Sequence, residues 1–263
     1  MKKFIAAFFI LPLTLAFAQE QKLAILPVSN QKLEADSFVG FDGLKNFYYI
    51  KNNVFFKENQ NDIWEYKNFS LGKITRVDLH NPLKIMLFYE NFNTIVLLDN
   101  QLNEAQKINF AEINIPVLVT ATGIASQNRL WIYDSLTQQV GLFDYLKNTF
   151  KTITIPFQGT LKYYDSDFNS FQWIDENLNW YSCDVFGKIA TLGKVPDFEQ
   201  FHQVSDQVLL FSKSGKIHLV DLQKKTSYTV ETVEKTFKKF YYKDQILSIF
   251  TGQGITNYKI TIP

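Results

Sequence analysis

Asp165, Asp167 and Asn169, in the run DSDFN, stand at alternate positions that can place oxygen ligands around calcium, and Glu176 falls twelfth in the same count. Calcium is the one cofactor suggested in this way. Two features argue against it: Ser170 stands where such a loop carries glycine, and Phe171 to Ile174 reads as a strand that takes Glu176 to its far end. A polar hairpin turn explains the same residues with no cofactor. Asp99, Asp134 and Asp175 each close an apolar run, a recurrence that fits a repeated turn cap better than a carboxylate cluster. The three histidines, His80, His202 and His218, fall on three different elements, so a three-His metal site is not expected. Cys183, the only cysteine, lies in the alternating run NWYSCDVF and reads as a buried, inert thiol. GxSxG, HExxH, CxxC and a Gly-rich phosphate loop are all absent, so no catalytic residue is assigned.

The elements that must carry these residues are short strands. From Ile124 to Tyr164 the chain gives RLWIYD, stopped by Asp134-Ser135, then QVGLFDY, turned by Leu146-Lys147-Asn148, then TITI up to Pro156. The same plan recurs. Triplets that open a unit fall at Phe47-Tyr48-Tyr49, Leu87-Phe88-Tyr89, Ile124-Ala125-Ser126, Lys162-Tyr163-Tyr164, His202-Gln203-Val204 and Phe240-Tyr241-Tyr242. A second strand follows each of them, from Asn53, Asn93, Arg129, Ser170, Gln207 and Gln245. Third strands follow in most units, and ITRVDL, IATLGK and TSYTVE read as fourth strands. Unit two is the weakest, since only AEINI is left for its outer strand.

A period of about 40 residues with four strands per period predicts an all-β, six-bladed β-propeller. Two β-sandwiches, the alternative, have no reason to repeat one strand plan six times. From Phe240 to Pro263 there is room for three strands of a blade, so Lys22 to Val28 (KLAILPV) is expected to supply the fourth and close the ring by pairing with Ile255 to Ile262. The dense aromatic residues, 25 Phe and 13 Tyr, read as packing between blades, with a stacking surface for glycans or peptides as the alternative.

On these repeats the chain resembles the six-bladed propellers of the NHL and TolB-like kind found in exported bacterial proteins. The resemblance covers the chain after its leader as architecture, and the Gly-His and Trp-Asp signatures of WD40 repeats are absent. It implies a ring with a central channel and a loop face used for binding, in a group that includes scaffolds as well as lactonases and lyases. The Asp165 to Asn169 run is similar to the DxDxDG loops of calcium-binding propellers. His80, with Asn81, is the binding candidate, because VDLHNP reads as a loop from an outer strand to the next inner strand.

Residues 1–18 read as a signal peptide: Lys2 and Lys3, an apolar run from Phe4 to Leu15, and Ala16-Phe17-Ala18 as the cleavage site. Residues 19–263 then form one propeller domain, exported to the periplasm or beyond, with no transmembrane segment. Loss of Lys2 and Lys3 takes the formal charge from +1 to −1, which argues against a nucleic-acid partner. Arg76 and Arg129 are the only arginines, so bidentate phosphate forks are scarce. The expected function is a non-enzymatic binding or assembly scaffold of the cell envelope with a protein partner. The alternative is a propeller hydrolase or lyase with residues dispersed around the channel mouth.

Overall fold

The computed structural model describes residues 21–44, 46–231 and 236–262; the segment 1–18, expected to be a signal peptide, lies outside them. The described residues form six sheets, antiparallel except for one added parallel strand. The inner strands are Ser37–Phe41, Arg76–Asp78, Val119–Ala125, Leu161–Ser166, Gln200–Gln203 and Lys239–Lys243, and they define blades 1 to 6 in that order. Each blade runs outward as a meander to a fourth strand.

Closure of the ring is seen in its cores. Six clusters of buried side chains lie between successive blades, from Tyr48 and Phe55 against Leu87 and Val96 (blades 1 and 2) round to Phe38 and Tyr49 against Phe250 and Ile255 (blades 1 and 6). Both faces of the middle strands are therefore buried, and Ile85–Tyr89 and Thr94–Leu98 are buried at every position. This is why they read as continuous apolar runs. The aromatic residues fill these cores as expected: Phe47, Tyr48 and Tyr49 are buried, and Phe157 stacks on both Tyr133 and Trp173. Cys183 is fully buried between blades 3 and 4, and burial pushes its thiol up to about 12. The native protein is therefore expected to react with a thiol reagent such as dithionitrobenzoate only at the rate of unfolding, whereas the denatured chain titrates at once.

Two expectations about the repeat need correction. Phe47-Tyr48-Tyr49 and Leu87-Phe88-Tyr89 belong to the second strands of blades 1 and 2, while the four later triplets do start on inner strands. The inner strands of the first two blades are Ser37–Phe41 and Arg76–Asp78, so ITRVDL opens blade 2 and does not end blade 1. The missing outer strand of unit two follows from the same shift. It is Glu104–Asn109, bulged between Glu104 and Gln106, and AEINI is a turn.

The amino-terminal segment closes the ring, but it serves two blades. Leu26–Gln31 pairs antiparallel with Ile255–Lys259 as the fourth strand of blade 6. Gln21–Ala24 pairs parallel with Thr226–Glu231 as a fifth strand on blade 5. The segment expected as one strand therefore breaks at Ile25. Leu26 and Val28 face solvent, while Leu23 and Ile25 pack on the core between blades 5 and 6.

Candidate functional site

The inner strands bring together residues that are far apart in the chain. Arg76, on blade 2, reaches across the axis to blade 4: its Nη2 lies 2.6 Å from Asp165 Oδ1, its Nη1 donates to the Tyr164 carbonyl at 3.2 Å, and its guanidinium stacks 4.3 Å from the Tyr164 ring. Stacking together with charge-assisted bonds is a setting in which arginine, not lysine, is the fitting residue. Blade 3 lies between the two and presents Gly123, which leaves room for Ser166 and Asp78. A Cβ there would stand 1.9 Å from Ser166 Oγ and 3.2 Å from Asp78 Oδ2. The Arg76–Asp165 pair divides the channel, and Arg76 lines a cavity on each side of it.

The lower cavity, about 380 Å³, opens where the inner strands end. Asp78 is buried beneath it and accepts from the Ile124 amide at 2.8 Å and the His80 amide at 2.9 Å. His80 Nδ1 lies 2.9 Å from Asp78 Oδ1. Burial disfavours the Asp78 carboxylate, but bonding to His80 outweighs it and the group is held below its ordinary value. The same bond raises His80. His202, on the inner strand of blade 5, lines the cavity too, and burial lowers its affinity for protons. Two imidazoles of opposite tendency thus share one cavity, beside Tyr241 and Tyr242. His80 is expected to titrate above 6.5 by NMR and to fall back toward 6.5 in Asp78→Asn, where the partner charge is gone.

His80 is therefore in a cavity, but on the opposite face from the one expected. Because Arg76–Asp78 is an inner strand, the loop after it joins the first strand of blade 2 to the second. The outer-to-inner connections lie at the other end of the channel. Asn81 has a different role, since its side chain accepts from the Leu83 amide at 3.0 Å and holds the loop turn. His218 is on the third strand of blade 5, stacked on Phe211 and away from the channel.

The calcium candidates separate. Asp165 is engaged by Arg76, whereas Asp167 caps the hairpin by accepting from the Asn169 and Ser170 amides, each at 2.7 Å. Ser170–Asp175 is a strand, and Glu176 beyond it bonds Thr160 at 2.7 Å. Among the described residues no group of three or more His, Cys, Asp and Glu side chains is placed to hold a metal ion. Melting curves recorded with calcium and with chelator are expected to overlay; a gain of several degrees with calcium would overturn this reading of the turn. Asp99 and Asp175 are turn caps, and Asp42 is a third of the same form: each carboxylate takes the amide and the side-chain amide of an Asn four residues on. Asp134 also caps its turn, and in addition accepts from the Leu118 amide of the incoming connection.

Sequence reasoning passed over Arg76, Asp78, Tyr241 and Lys239 as site residues. Signals were present for two of them: Arg76 is one of only two arginines, and Asp78 stands two residues before a histidine.

No protein-family profile matches the chain, and no curated protein matches it. Solved structures do. Virginiamycin B lyase from Staphylococcus aureus is similar with a TM-score of 0.58 at 10% identity, over 92% of this chain and 96% of that one. A streptogramin B lyase is similar with a TM-score of 0.58 at 11% identity, over 88% and 96%. BBS1N, solved in complex with ARL6DN, is similar with a TM-score of 0.55 at 9% identity, over 87% and 79%. At such identities the likeness shows the fold alone: the protein is a six-bladed β-propeller. Among the described residues no helix is long and apolar enough to cross a membrane.

Proposed function

We propose that the protein is an exported, non-enzymatic propeller, of the NHL or TolB-like kind, that binds a protein partner in the bacterial cell envelope. Its leader, residues 1–18, is removed. One observation carries the reading. The connections and turns at the outer-to-inner face of blades 1 to 4 present Phe69, Phe92, Leu118, Leu136 and Ile155 to solvent, from 43% exposed at Leu118 to 78% at Ile155.

These loops are stitched together. Gly72 lies under the Phe92 ring, Asn93 donates to the Val117 carbonyl and accepts from the Val119 amide, and the Ser135 amide donates to the Leu118 carbonyl. A fixed series of exposed apolar side chains with polar neighbours suits a protein interface better than a small-molecule pocket. BBS1N, a propeller of similar fold solved in complex with another protein, is consistent with such use of the fold.

Photo-crosslinking residues placed at Phe69 and at Phe186, which is on the opposite face, test the proposal in envelope preparations. A discrete protein adduct from position 69 only, lost in Leu136→Ser/Ile155→Ser, is expected. Equal labelling from both positions, or none, would overturn it.

The second reading, a hydrolase or lyase, draws on the lower cavity. A histidine whose Nδ1 is held by a buried carboxylate has the arrangement of a general base. Turnover of an ester, lactone or glycan that is lost in His80→Gln, with the crosslink unchanged, would favour this reading over the first.

A further inference from the structure

The upper cavity, about 690 Å³, lies on the other side of the Arg76–Asp165 pair between blades 1, 2 and 6. Val39, Ile50, Ile74 and Val77 supply its apolar lining, and its polar lining is unevenly charged. Lys73, Arg76 and Lys239 line it, against the single carboxylate of Asp36. Asp36 is at the exposed rim and accepts from the Asn52 amide at 2.6 Å.

Lys239 is half-buried and, among the described residues, its ammonium group forms no hydrogen bond or ion pair. Burial, then the charge of Arg76, lowers its ammonium group to about 8. Arg76 spends its Nη atoms on blade 4, but its buried Nε–H has no acceptor. Thus two cations from the flanking blades face one cavity beside the Val39 strand, and among the described residues the only anion bound to either, Asp165, lies on the far side of Arg76.

We infer that the upper cavity binds a small amphiphilic anion, with its carboxylate or phosphate beside Lys239 and Arg76 and its apolar body against Val39, Ile50, Ile74 and Val77. The site lies across Arg76 from the His80 cavity, with which it shares Val39, Arg76 and Val77, and it stands or falls independently of both functional readings. An anion beside Lys239 supplies the missing counter-charge and a hydrogen-bond acceptor. The other titratable groups around this amine are Arg76, His202, Asp36 and Lys73, and of these Asp36 alone is anionic. Binding raises the proton affinity of Lys239, so affinity is full below the free value of about 8 and falls as pH rises above it.

Calorimetric titration of the mature protein with hexanoate, hexyl phosphate and inorganic phosphate tests the site, with hexanol as the uncharged control. Hexanoate or hexyl phosphate is expected to bind at least about tenfold more tightly than hexanol, and Lys239→Met to remove most of that margin. The two amphiphiles distinguish a carboxylate from a phosphate ligand, and tight inorganic phosphate with no gain from the hexyl chain would refute the apolar subsite. If Lys239→Met does not fold, the wild-type protein still answers. Acetylation of Lys239 at pH 8, followed by peptide mass spectrometry, should slow several-fold with hexanoate or hexyl phosphate and not with hexanol. Equal affinity for hexanol and the anions, or acetylation unaffected by all of them, overturns the inference.

Discussion

A chain beginning at Lys32 is expected to melt roughly 10–20 °C below one beginning at Gln19, or to aggregate on expression. Its loss removes the fourth strand of blade 6 and the fifth of blade 5 together. Each lost backbone bond costs only about 0.5–1.5 kcal/mol, but Leu23 and Ile25 also leave the core formed by Leu219, Phe240 and Tyr258. Together these reach about 5 kcal/mol, a large share of the stability of an ordinary domain. Ile255–Lys259 and Thr226–Glu231 would also become open edges, which invite pairing with other chains. The deletion should be graded. A start at Leu26 removes only Gln21–Ala24 and leaves blade 6 complete, so it should cost clearly less. Differential scanning calorimetry of the three chains decides the matter, and identical melting would show that the segment does not close the ring.

Asp78→Ala is expected to cost about 2–4 kcal/mol, or roughly 5–15 °C. Its carboxylate is 1% exposed and ties blade 2 to blade 3 through the Ile124 amide while it holds the His80 loop. Alanine leaves that amide buried without an acceptor. Asp78→Asn keeps one acceptor oxygen and should lie between the two. The pH dependence has a definite sign. Because the folded-state value of Asp78 is depressed, its contribution is present above the ordinary carboxylate range and is lost as pH falls through the folded value. His80 is raised, so its contribution is present below its ordinary value and is lost as pH rises through the folded one. Chemical denaturation across pH 3 to 9 should show both slopes in the wild type; in Asp78→Ala the loss at rising pH shrinks, and the acid slope falls to that of the other depressed carboxylates, such as Asp42 and Asp99. A variant with wild-type stability and pH profile would mean that the carboxylate is not the tie between the blades.

By itself the sequence determined the number of blades, the use of most aromatic residues and the role of the capping aspartates, because these are written in short-range patterns. Alternation, turn chemistry and spacing repeat six times, and Asp99 and Asp175 bond residues two to four positions away. Tertiary structure decided the phase of the repeat in blades 1 and 2. A second strand enclosed by both neighbouring blades is as apolar as an opening strand, so Phe47 and Leu87 read as openings. It also divided the amino-terminal segment at Ile25, since the choice of blade depends on which open edge lies within reach. The site was the least legible part. Arg76 and Asp165 are 89 residues apart, and their contact joins blades 2 and 4 past the blade between them. No local pattern contains such a meeting; it exists only when six sheets close around one axis.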